Sequence, residues 1–116
     1  MKESVLLNIS IDFSKDIISL VKKLKENKEN IISNQIGRSG TSIGANIHEA
    51  QYGNSKADFI SKLHIALKEA NETKYWLILL NKSNYINNDE YEILANDCEK
   101  IKAMLIKSIN TAKENK

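Results

Sequence analysis

Gly40-Thr41-Ser42-Ile43-Gly44 spells the G-x-S-x-G of a nucleophile elbow. Such a serine attacks acyl groups only when it sits on a strand-to-helix turn with an acid and a histidine downstream. His48 follows Ser42 by six residues and His64 falls in a later segment, so neither fits, and 116 residues are few for that fold. Gly37 to Ser42 is also glycine-rich like a phosphate loop, but no lysine precedes the Thr41-Ser42 pair. Metal chemistry would draw on His48, Glu49, His64 and Cys98. His48-Glu49 lacks the second histidine of the zincin spacing, and the chain has no Glu-x-x-His pair for a di-iron bundle. The sequence therefore predicts no catalytic residue, no metal, no cofactor and no small-molecule substrate.

Arg38, Asn46 and Glu49 suggest a different role. Asn46 and Glu49 are three apart, and Arg38 and Glu49 eleven apart, which is three turns of a helix. Glu69 and Glu72, in the next segment, are placed to meet Arg38. An ion pair there would fix orientation and partner choice more than stability. A second cluster, Lys22, Lys23, Lys25 and Lys28, could track nucleic-acid phosphates. The bland reading is that it pairs with Asp89, Glu90, Glu92, Asp97 and Glu99, since bases at helix ends and acids at helix starts suit the macrodipole. Little aromatic interleaving supports single-strand binding, and the net charge is only +2.

The elements that hold these residues are helices. The chain has no proline and four glycines, which nearly excludes turn-rich β sandwiches and barrels. A hydrophobic fraction of 41% with 28% charged residues fits a globular domain rather than a disordered chain. No apolar stretch approaches the ~20 residues of a membrane span. Met1 to Leu7 contains an acid and only a brief apolar run, unlike a secretory leader. One cysteine, Cys98, cannot form an internal disulfide, which fits a reducing cytoplasm.

Four helices are expected over about 10–27, 31–51, 55–83 and 87–113, in one domain spanning 1–116. In the first, Ile9, Phe13, Ile17, Leu20 and Leu24 mark one face, and residues before Ser10 could extend it. In the second, Ile32, Ile36, Ile43 and Ile47 make a stripe interrupted by Gly37, Gly40 and Gly44. Each glycine costs about 1 kcal/mol in a helix. The alternative is a glycine-rich loop from Gly37 to Gly44, but their three- and four-residue spacing places them on nearly one face of a helix, where a neighbouring backbone can come close. Ser55 and Asp58 resemble a capping box; Phe59, Leu63, Ala66, Ala70, Thr73, Leu77 and Leu80 then form a heptad seam. The fourth helix starts at an Asn87–Glu90 capping box and continues Tyr91, Leu94, Cys98, Ile101, Leu105, Ser108, Ala112. Gly53 suits the left-handed position that ends the second helix. Short connections make an all-α, antiparallel up-down-up-down bundle. Off the third helix's seam lie Ile60, Leu67, Trp76, Ile78 and Leu79. That surplus predicts a homo-oligomer, with Trp76 a candidate interface residue.

The segment Arg38-Ser39-Gly40-Thr41-Ser42-Ile43-Gly44-Ala45-Asn46-Ile47-His48-Glu49-Ala50 carries the pattern R-S-x-x-S-I-x-A-N-I-x-E-A. With Ser55 to Ile60 and Ala66 to Leu77, it resembles the bacterial four-helix bundle proteins, also called 23S ribosomal RNA intervening-sequence proteins. The likeness spans about residues 10 to 110. It implies a four-helix bundle, a ring-like homopentamer and no enzyme activity. Members are encoded in insertions within ribosomal RNA genes. A relative, the accessory protein of diversity-generating retroelements, is strongly basic and binds nucleic acid and a reverse transcriptase.

Overall fold

The computed structural model describes residues 4–115. The reading of the chain start as unlike a leader involves Met1, Lys2 and Glu3, which lie outside the described residues. Four helices follow one another, α1 (Val5–Glu26), α2 (Ile32–Ala50), α3 (Lys56–Lys82) and α4 (Asn88–Glu114), and no strand occurs among the described residues. They form a rod of 49 × 21 × 21 Å. Contacts run α1–α2, α2–α3 and α3–α4, with α1 and α4 the least closely packed neighbours. Residues late in α1 meet residues early in α2 and α4, so each adjacent pair is antiparallel.

The apolar stripes read from the sequence form the core. Phe13, Ile17, Leu20 and Leu24 of α1 face Ile32, Ile36, Ile43 and Ile47 of α2, Leu63 to Leu80 of α3, and Leu94, Cys98, Ile101 and Leu105 of α4. Phe59, the first residue of the α3 seam, is only half-buried. In the last turns of α4, Ile109 replaces Ser108 as the buried residue. A seven-residue repeat slips by ~20° per heptad on a straight helix, which is enough to swap adjacent positions by the end of α4.

α1 starts five residues earlier than Ser10, at Val5. Ser4 caps it, its hydroxyl accepting the Leu7 backbone N–H at 2.9 Å, and Leu6 and Ser10 join the buried face. The predicted caps of the later helices are present. Ser55 accepts from the Asp58 N–H at 3.1 Å, and Asn87 and Glu90 exchange bonds of 2.8 and 3.1 Å.

Gly53 does not play its expected part, because no glycine has a positive φ. The left-handed residues are Lys28 (φ 65°) and Asn84 (φ 67°). Each sits just past a helix end, and the residue after it donates back to the helix: Glu29 N to Leu24 O and Tyr85 N to Leu80 O, both 2.9 Å. These are Schellman closures made without glycine.

α2 has no capping side chain at Ile31. Glu29 does that work. Its carboxylate accepts from the N–H groups of Ile31, Ile32 and Ser33 at 3.1, 3.0 and 2.7 Å. Three of the donors that a helix start leaves orphaned are thereby satisfied by one buried anion.

Candidate functional site

α2 carries the R-S-x-x-S-I-x-A-N-I-x-E-A segment, and its three faces do three different jobs. Toward α1 it presents Gly37, Gly40 and Gly44. A Cβ on Gly40 would stand 2.9 Å from two carbons of Ile17; one on Gly37 would stand 3.3 Å from Val21. At Gly44 the nearest atoms, on Ser10 and Ser14, would be 3.4 Å away. The glycines are helical and lie at a close helix–helix contact, as their spacing predicts.

Toward the core, Ile36, Ile43 and Ile47 are fully or almost fully buried. Ser39 is buried beside them, where the Thr73 hydroxyl of α3 hydrogen-bonds to its Oγ at 2.9 Å. Thr73 also lies 2.8 Å from the Glu69 carbonyl, so neither hydroxyl is stranded.

On the α3 side, Arg38 reaches both expected acids. Its guanidinium lies 3.2 Å from Glu69 Oε1 and 2.5 Å from Glu72 Oε2. The Trp76 indole N–H donates to that same Glu72 oxygen at 3.0 Å. The indole bond first, and the Arg38 bond next, hold the Glu72 carboxyl below its ordinary range. Arg38 itself is half exposed, so the cluster sits at the rim of the α2–α3 seam. Trp76 is half-buried, packed on the core and edge-on to Tyr75.

Asn46 and Glu49 do not join Arg38. Asn46 donates to the Ser42 carbonyl of its own helix at 2.9 Å, and Glu49 is exposed. Eleven residues do return to one face of a helix, but they also advance about 16 Å along it, beyond the reach of both glutamates.

Ser42, the elbow-like serine, lies mid-helix with its hydroxyl donating to the Arg38 carbonyl at 2.7 Å. His48 is exposed and packs its ring against Tyr52. No group of three or more metal-ligating side chains converges among the described residues. No helix among them is long and apolar enough to cross a membrane.

The lysine cluster is divided. Lys23 pairs with Glu90, which joins the basic end of α1 to the acidic start of α4. Lys25 donates to Asn34 Oδ1 at 2.7 Å. Lys22 and Lys28 are exposed and take part in no ion pair among the described residues.

The surplus apolar residues of α3 are largely accommodated within the chain: Ile60, Leu67, Trp76 and Leu79 are partly buried against the core. α3 still exposes Ile65 and Tyr75, and the sequence reading also missed exposed isoleucines on α1 and α4. Ile11 and Ile18 of α1 are 47% and 48% exposed, and Ile93 of α4 is 63% exposed. The first two border a groove of about 360 Å³ shared with Leu7, Ala45 and His48. Their seven-residue spacing, off the α1 core stripe, is the signal that could have found them.

This arrangement of glycine contact, buried hydroxyl pair and rim ion pair holds α2 in place between α1 and α3. Residues 2–107 match the family model of the 23S rRNA-intervening sequence protein. The chain belongs to this family. A solved structure from Bacteroides thetaiotaomicron VPI-5482, described as a protein with unknown function from the S23 ribosomal protein family, is 53% identical. It aligns with a TM-score of 0.89 over 90% of this chain and 98% of that one. No curated protein matches the chain significantly. In this intervening-sequence protein the family segment is thus accounted for mainly by how α2 docks between α1 and α3.

Proposed function

We propose that this intervening-sequence protein is a non-enzymatic, self-assembling scaffold that works in the cytoplasm as a homo-oligomer. The observation that carries the proposal is the exposure of Ile11 and Ile18 on one face of α1 and of Ile93 on α4, in a bundle that also exposes Ile65 of α3 and Ile106 of α4. Single exposed apolar residues are ordinary. Two on one helix, seven apart and beside an apolar groove, are the kind of patch that marks association. A closed ring of five copies is the assembly that the family resemblance implies, and head-to-tail contacts that close give rings. Light scattering coupled to size exclusion tests the reading. A multiple of 13.1 kDa supports it, and 13.1 kDa itself contradicts it.

A nucleic-acid-binding accessory role, beside a reverse transcriptase as in the retroelement relative, is the second reading. What favours it is that Lys22 and Lys28 remain unpaired at the end of α1. Such binding would weaken with salt along a log–log slope set by the number of phosphates contacted. A flat response with a 23S rRNA fragment would remove it.

A further inference from the structure

Resting on the self-assembly reading, we infer which two surfaces meet. On α1, Lys15, Ile18 and Lys22 follow one another at three and four residues, along one exposed stripe. On α4, Asp89, Ile93 and Asp97 follow at four and four. One stripe is cation–isoleucine–cation; the other is anion–isoleucine–anion. Lys15 and Lys22 are about 10 Å apart along their helix, and Asp89 and Asp97 about 12 Å apart along theirs. The isoleucine stands near the middle of each. None of the four charged residues has an ion-pair partner among the described residues, although Lys23 and Glu90 nearby are paired.

The occupant of the α1 stripe is the α4 stripe of a second copy. Seating one on the other buries Ile18 against Ile93 and closes two lysine–aspartate pairs around them. The charges then serve register and orientation, while the isoleucines supply the burial. Where each copy offers one stripe to each of two neighbours, the contact is head to tail and can close as a ring.

The test is a charge exchange read as mass by light scattering, with circular dichroism to confirm helicity. Lys15→Glu with Lys22→Glu, and separately Asp89→Lys with Asp97→Lys, should each shift the parent assembly toward 13.1 kDa. All four substitutions in one chain should restore the parent mass. Double variants that keep the parent mass, or a helical quadruple variant that stays dissociated, would overturn the pairing and leave self-assembly standing. A monomeric parent would overturn both. Should a double variant fail to fold, Ile18→Cys with Ile93→Cys gives the same decision: a disulfide-linked ladder on a non-reducing gel supports the contact, and no ladder refutes it.

Discussion

Ile17 of α1 occupies the space that a side chain on Gly40 of α2 would need. Its Cγ1 and Cγ2 lie 2.9 Å from the place of a Gly40 Cβ, a separation at which something must shift. Two glycines four residues apart on one face therefore have unequal roles, since a Cβ on Gly44 would find only ordinary contacts at 3.4 Å.

Gly40→Ala should destabilise the bundle by about 1–3 kcal/mol through overpacking, despite alanine's better helix propensity. Gly44→Ala should be neutral or stabilise by up to about 1 kcal/mol. Urea denaturation of the two variants checks this. Equal midpoints would show that α1 does not constrain Gly40.

Glu29→Ala should cost about 1–2 kcal/mol, the usual value of a lost N-terminal cap. Its carboxylate now accepts from three N–H groups at the start of α2, on Ile31, Ile32 and Ser33. Glu29→Gln keeps a carbonyl oxygen and should lose less. Amide hydrogen exchange localises the effect: protection should fall in the first turn of α2 before it falls in α3.

Acid should weaken the α2–α3 rim. Glu72 has its folded pKa held below the ordinary 4.5, by Trp76 first and Arg38 next. A carboxyl acidified by folding contributes stability above its unfolded pKa, and that contribution is lost as pH falls through the folded value. Glu72 is about one-third exposed, so solvent screening keeps the effect under about 1 kcal/mol. Thermal melts between about pH 6 and 3 should show a shallower acid slope for Glu72→Gln than for the parent. Identical slopes would mean that the cluster is not formed in solution.

Cys98 should be unreactive in the native state. It is fully buried, its Sγ lies 3.3 Å from the Ala70 carbonyl, and burial pushes its pKa up to about 11. A thiol reagent at about pH 8 meets neither access nor thiolate. Labelling should run on the order of a thousandfold faster in denaturant, given ordinary domain stability. Prompt native labelling would place Cys98 outside the core.

Much of this architecture is legible in the residues. The unbroken three–four alternation in α3 and α4 predicts their faces, and the spacing of Gly37, Gly40 and Gly44 predicts a helical contact rather than a loop. Arg38 with Glu69 and Glu72 follows from antiparallel pairing once α2 and α3 are set. Glu29 was not legible as a cap. Its carboxylate reaches the start of α2 only because Lys28 takes a left-handed conformation, which sequence favours at glycine or asparagine and not at lysine. The place of Asn46 and Glu49 depends on distance along the helix as well as angle around it, and angle alone misled. Ile11, Ile18 and Ile93 look like incidental surface residues until the bundle shows that no neighbouring helix covers them.

Self-assembly is the central claim, and sedimentation equilibrium of the parent chain beside Ile18→Asp tests it most directly. The parent should sediment as a defined multiple of 13.1 kDa across the micromolar range. Ile18→Asp should shift toward the single-chain mass while keeping its helicity, because Ile18 is half exposed and outside the bundle core. A parent that sediments at 13.1 kDa at every concentration would contradict the account.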